Sequence, residues 1–240
     1  MRWRCSGALE SEVMIIPVRD LSKRRGSVSG AVPSRKLDRM VHYESLIARG
    51  CIYIFEHDPR VHTYEEEPCT IHYRFDGSER RYTPDFAVTW IDRKPTLMEC
   101  KPVAHMSDPE NAPKWTAARL WAVRHRYEFV LVTDASLRAY GALLPNLELL
   151  AVHGYQRIPP PAREYLLKTA QSINGPFTPN ELVRQTPQLE PIRTRSYIWH
   201  LLYVGEFSTD LTRPLHFDGT VLSWKGASNV ETKPIEQSRD

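Results

Sequence analysis

Apolar positions change period several times along this chain, and each change marks an element. Residues 82–90 (YTPDFAVTW) are rich in aromatic and β-branched side chains and predict a strand. Residues 91–95 are polar, end in proline and predict a turn. Residues 96–102 (TLMECKP) predict a second short strand, closed by a proline that cannot donate to a ladder. Alternation along that strand puts Leu97, Glu99 and Lys101 on one face and Met98 and Cys100 on the other, apolar one. Upstream, Leu37, Met40, Val41, Ile47 and Cys51 follow one helical face, which predicts a helix over 34–51 with Ser34 as N-cap. Glu44 falls at the same phase, on the stripe that would be buried, where a carboxylate is costly unless it is paired or binds metal. Downstream, residues 112–127 predict an amphipathic helix. Trp115, Ala118, Trp121 and Ala122 lie on one side, with Lys114, Arg119, Arg124 and Arg126 on the solvated side. Residues 128–133 (EFVLVT) predict a buried strand.

Prolines cluster at 158–161, and the pattern after them is helical. Helices are expected over 162–173, from a Thr178 cap with Pro179 in the first turn, and over 194–202. Short strands follow at 205–207, 213–217 and 220–224, with Asp218-Gly219 as a hairpin turn. Three helices and a small hairpin make a winged-helix-like arrangement. The expected organisation is a basic arm (1–30), an α/β domain (31–157), a winged-helix-like domain (158–226) and a polar tail (227–240).

Charge sharpens this picture only locally. The 240 residues carry a net charge of +3, too little for a DNA wrapper. Residues 1–43 hold nine Lys or Arg against four acids, and Lys23, Arg24, Arg25, Arg35, Lys36 and Arg39 are candidates for DNA phosphate contacts. A solvated tail kept soluble by charge explains that bias equally well. Arg193 and Arg195 stand where a recognition helix would begin. Residues 156–240, however, hold ten basic and nine acidic side chains, and that balance favours a protein partner for this pair. The four cysteines show no CxxC spacing, which argues against disulfides and a zinc site. Residues 13–16 (VMII) are too short for a membrane span, and an intracellular, cytoplasmic protein is expected.

The candidate chemistry lies in Pro84-Asp85, thirteen intervening residues and Glu99-Cys100-Lys101. Asp85 and Glu99 fit as oxygen ligands of Mg²⁺, with the Cys100 carbonyl as a third. Lys101 can orient or deprotonate an attacking water, or stabilise charge on a phosphate. Taken alone, the same residues read as well as an ordinary salt-bridged strand pair. Glu44 on the preceding helix would add a further metal-site carboxylate.

At these residues the chain resembles known families. The strand motif is similar to the PD-(D/E)xK pattern of restriction-endonuclease-like nucleases. Ser34-Arg35-Lys36 with Arg39, then Glu44-Ser45, residues 55–61 (FEHDPRV), residues 64–68 (YEEEP), residues 81–86 (RYTPDF) and Glu99-Cys100-Lys101-Pro102 together resemble TnsA, the endonuclease subunit of heteromeric cut-and-paste transposases. Glu67 and His57 depart from the family pattern, which usually has Gln and Phe there.

The resemblance implies a mixed sheet flanked by helices and an active site of Glu44, Asp85, Glu99 and Lys101. It implies Mg²⁺, with Mn²⁺ as substitute. The activity it implies is cleavage of the 5′ strand at transposon ends in double-stranded DNA, with a DDE transposase (TnsB-like) cutting the 3′ strand. It also implies an AAA+ ATPase (TnsC-like) meeting the C-terminal domain, and a bacterial, nucleoid-associated site of action. A stand-alone restriction or repair nuclease of the same fold, and a catalytically idle assembly factor, are the competing readings.

Overall fold

The structure, a computed structural model, describes residues 28–173 and 175–225. Lys23, Arg24, Arg25, Cys5, residues 13–16 and the tail after residue 226 lie outside the described residues. The chain divides into two compact units between Leu137 and Arg138.

The first unit opens with an antiparallel hairpin, β1 (Gly30–Ser34) and β2 (Arg39–Tyr43), followed by helix α1 (Leu46–His57). The helix expected over 34–51 is therefore corrected: its first half is a hairpin, and the N-cap is Ser45, whose Oγ accepts the Ala48 N–H at 3.0 Å. Glu56, on the last turn of α1, explains the difference. Its Oε1 accepts the Ser34 hydroxyl at 2.6 Å, and its Oε2 accepts the Arg35 N–H at 2.9 Å. These bonds satisfy the turn from outside the segment, and local spacing carries no trace of them. Asp38 completes the turn in the left-handed region (φ 51°).

The chain continues through β3 (Val61–Glu66) into a ribbon of β4 (Ile71–Phe75) and β5 (Ser78–Tyr82). Asp76 and Gly77 both have positive φ, as a two-residue hairpin turn of the primed type requires. Then come β6 (Phe86–Trp90), β7 (Thr96–Cys100), α2 (Asn111–Arg124), β8 (Glu128–Val132) and the short α3 (Asp134–Arg138). The single strand expected over 82–90 is split. Tyr82 ends the ribbon and Phe86 starts the next strand, because Pro84 between them has no N–H for either ladder.

The main sheet has the order β3-β6-β7-β8, antiparallel except for the parallel β7–β8 pair, which α2 connects. β7 is buried along its whole length. Leu97 packs in one cluster with Trp115 and Ala118 of α2 and with Tyr82. On the other face the Cys100 sulfur lies 3.7 Å from that of Cys51 in α1. The alternation expected along this strand is what the structure contains: Glu99 shares the α2 side, and Cys100 faces the α1 side. A mixed sheet between helices fits the restriction-endonuclease-like fold.

In the second unit α4 (Leu143–His153), α5 (Pro160–Ser172), α6 (Pro179–Gln185) and α7 (Pro191–Tyr203) surround one core with β9 (Phe207–Ser208) and β10 (Ser223–Trp224). Leu150 of α4 belongs to that core with Leu166, Ile198, Leu201 and Phe207. The boundary expected at 157/158 is therefore corrected to 137/138, because α4 packs with the later helices. Thr178 caps α6 as expected, its Oγ1 accepting the Glu181 N–H at 3.1 Å. Helix α7 begins earlier than expected, with Glu190 as its N-cap. The strand expected over 213–217 is absent. Asn146 of α4 explains this: its Nδ2 donates to the Leu211 and Arg213 carbonyls at 2.8 and 2.7 Å, and its Oδ1 accepts the Leu215 N–H at 3.2 Å. The loop's polar groups find a side chain where a hairpin would have given them a ladder.

Candidate active site

Three paired rungs join β6 to β7: Phe86 with Met98, Ala87 with Leu97 and Val88 with Thr96. Extending that register by one residue sets Asp85 opposite Glu99. Opposed residues of an antiparallel pair project on the same face, so the two carboxylates converge where the ladder stops. The Cys100 N–H, left without a rung, donates to Asp85 Oδ2 at 2.6 Å and holds that carboxylate against the strand end. Glu99 is 7% exposed, and its Oε2 accepts the Tyr82 hydroxyl at 2.8 Å. One oxygen of each carboxylate is thus fixed by the protein.

The electrostatics follow from that crowding. Burial and then the negative charge of Glu99 push the Asp85 carboxyl up to about 8, against the Cys100 N–H and the nearby Lys101 ammonium, which favour its charged form. Burial, with Glu99 next, raises the Tyr82 hydroxyl far above its ordinary value, so it remains a neutral donor. The Cys100 thiol is raised too, first by its contact with Cys51 and then by burial, and stays protonated. Its sulfur faces away from the carboxylates; the backbone carbonyl is what this residue can offer a cation. Lys101 follows β7 directly, its N–H donating to the Val132 carbonyl at 2.9 Å.

Glu44 is placed differently from expectation. It is exposed, just ahead of the α1 cap, and on no buried stripe. Its charge raises the neighbouring Glu67 carboxyl, behind burial as the larger cause. The Glu67 N–H donates to the Asp85 carbonyl at 2.9 Å, so Glu44 flanks the Asp85 end of the site. Among the described residues no three His, Cys, Asp or Glu side chains converge as a metal-holding group. The structure therefore brings Asp85, Glu99 and Lys101 together and leaves Glu44 beside them.

The candidate DNA contacts also sort themselves. The Lys36 ammonium donates to the Asp58 and Val61 carbonyls at 2.6 and 2.7 Å, closing the C-terminal end of α1. Arg39 forms a bidentate pair with Glu66, both bonds at 2.5 Å. Both cations are engaged within the fold, Arg39 from an exposed position. Arg35 stays exposed at the hairpin turn. Arg193 and Arg195 are exposed on the first turns of α7, with the Arg195 guanidinium 5.1 Å from the Phe217 ring centre.

Sequence reasoning missed two residues. Tyr82 carries no signal beyond its place before Pro84. Lys114 was assigned to a solvated face, yet burial lowers its ammonium pKa, with Lys101 the next cause. Its spacing held the signal: Lys114 is three residues after buried Asn111 and four before buried Ala118, at the edge of the stripe that faces the sheet.

Residues 58–134 match the family model described as TnsA-like endonuclease N terminal. The match runs from the end of α1 to the start of α3 and contains Tyr82, Asp85, Glu99, Lys101 and Lys114. No curated protein matches the chain. Over these residues the chain is similar to the N-terminal part of TnsA-like endonucleases.

Proposed function

We propose that this chain is a divalent-metal-dependent DNA endonuclease that cuts the 5′ strand at transposon ends. The observation that carries the nuclease reading is the convergence of Asp85 and Glu99 one residue past the last rung of β6–β7, with Lys101 beside them, inside the TnsA-like segment. The residues fit a hard cation. Asp85 is raised by burial and then by the Glu99 charge, and a cation between the two carboxylates offsets both penalties. Asp85, Glu99 and the Cys100 carbonyl would hold Mg²⁺ or Mn²⁺, with Glu44 a further candidate across the Asp85 end. Mg²⁺, when bound, neutralises phosphate oxygens and lowers the pKa of water.

The chain's own residues do the rest. The Cys100 N–H and Tyr82 hydroxyl fix the carboxylate rotamers, so little reorganisation is needed when DNA arrives. Lys101 orients the attacking water or takes its proton. DNA phosphates meet Arg35 and the exposed Arg74, Arg80 and Arg81 of the ribbon that leads into the site. In the second unit, Phe177 bridges Leu222 between α5 and α6 and extends the β9–β10 pair, which supports a winged-helix domain. Its nearly balanced charge favours a protein partner, the AAA+ regulator, with Arg193 and Arg195 as contacts. The 5′-strand assignment and the pairing with a DDE recombinase rest on the family resemblance.

Strand-resolved mapping of nicks on a transposon-end duplex with Mg²⁺ tests this, with and without the recombinase and the ATPase. Nicks on the 5′ strand that vanish in Asp85→Ala and Lys101→Ala, with partner binding intact, are expected. Cleavage retained in both variants overturns the site.

A further inference from the structure

We propose that Lys114 is a second phosphate-holding cation of the active site, paired with Lys101; the inference rests on the nuclease reading above. Its basis is placement. Helix α2 lies on the same side of the sheet as Leu97 and Glu99, with Trp115 and Ala118 packed into the Leu97 cluster. Lys114 adjoins Trp115 on that helix and is partly buried. Burial lowers its ammonium pKa, with Lys101 the next cause and Glu99 and Glu110 acting the other way. Among the described residues neither lysine forms an ion pair.

Two ammonium groups held together in a partly desolvated site repel, and an anion between them reverses that repulsion. Lys101 follows Glu99 at the end of β7, and Lys114 stands on the helix packed against that same face of the sheet. A phosphodiester, with two non-bridging oxygens, fits between a cation on the carboxylates and the lysine pair. Lys114 forms no covalent bond and exchanges no proton in this role. It balances charge on a non-bridging oxygen and leaves Lys101 to the water.

The test uses the full chain with its partner proteins on transposon-end DNA, under single turnover with Mg²⁺. Lys114→Gln should slow cleavage about 10²-fold, the scale for losing one preorganised charge donor, and Lys114→Arg should restore most of the rate. A rate for Lys114→Gln within twofold of wild type overturns the proposal. The second readout needs no cleavage: inorganic phosphate is titrated into the Mg²⁺-loaded, DNA-free protein by calorimetry. Phosphate should bind severalfold more weakly to Lys114→Gln, while Mg²⁺ binds as well or better because a nearby positive charge has gone. Equal phosphate affinity, or a loss of Mg²⁺ binding and thermal stability together, overturns the role whether or not the DNA is cut. If wild type binds phosphate through Lys114 yet never cuts DNA, the nuclease reading fails and the anion site stands.

Discussion

Asp85 is held by one backbone N–H and disfavoured as a charge there by burial and then by Glu99, and pH should expose the balance. Its folded-state value is pushed above the ordinary 3.8, to about 8. Below the unfolded value both states carry the proton and this group sets no penalty. As pH rises the unfolded chain releases its proton first, so stability falls until the folded group ionises as well. Metal-free Asp85→Asn is therefore expected to melt with wild type near pH 4 and above it at pH 8, measured by thermal denaturation across that range. A parallel pair of curves would show that burial and Glu99 together do not raise the Asp85 carboxyl. Tyr82→Phe tests the other clamp. It deprives a buried carboxylate of its donor, which should weaken Mg²⁺ binding about tenfold and be visible by calorimetry. Asp85, Glu99 and Lys101 were legible as residues, since strand alternation and motif spacing are local. Tyr82 and Lys114 were not, because their roles depend on which element crosses which.

Among the elements, the hairpin ahead of α1 depends on a residue that follows it by some twenty positions. Glu56 accepts from Ser34, from the Arg35 and Lys36 N–H groups, and from the Tyr64 hydroxyl at 2.6 Å. Ser34 and Tyr64 are each 3% exposed, so removing the carboxylate leaves buried donors unsatisfied. Glu56→Ala should destabilise the first unit by about 2–4 kcal/mol, read from the shift of its urea midpoint. This tie is also why the helix expected over 34–51 failed: apolar residues at helical spacing were present, but the decisive hydrogen bonds come from outside the window. Elements whose caps and turns are local, such as α6 after Thr178 and the turn at Asp76-Gly77, form where their own residues dictate.

At the scale of the whole molecule, the division at Leu137/Arg138 sets where the chain can be cut. Leu147 and Leu150 of α4 are 4% and 1% exposed, and Asn146 of the same helix holds the loop between β9 and β10. A fragment of residues 138–225 is expected to unfold as one cooperative unit, followed by circular dichroism on heating. A fragment starting at residue 158 loses that helix and should lack a cooperative transition; equal behaviour of the two would restore the boundary at the prolines. The proline cluster was the strongest local signal for a linker, yet what binds a helix to one unit is the apolar face it buries.

The end of the β6–β7 ladder carries a further consequence, for how such a chain tolerates changes of length. Asp85 meets Glu99 through a shared register, and the turn between the strands takes no part; Ile91 within it is 70% exposed. Two glycines inserted between Arg93 and Lys94 should leave Mg²⁺ binding near its wild-type strength. A single alanine inserted between Asp85 and Phe86 should abolish it, by turning the carboxylate to the opposite face. The interval between the two acids is then elastic in the turn and rigid in the strands, and related chains can vary in motif spacing without moving the site.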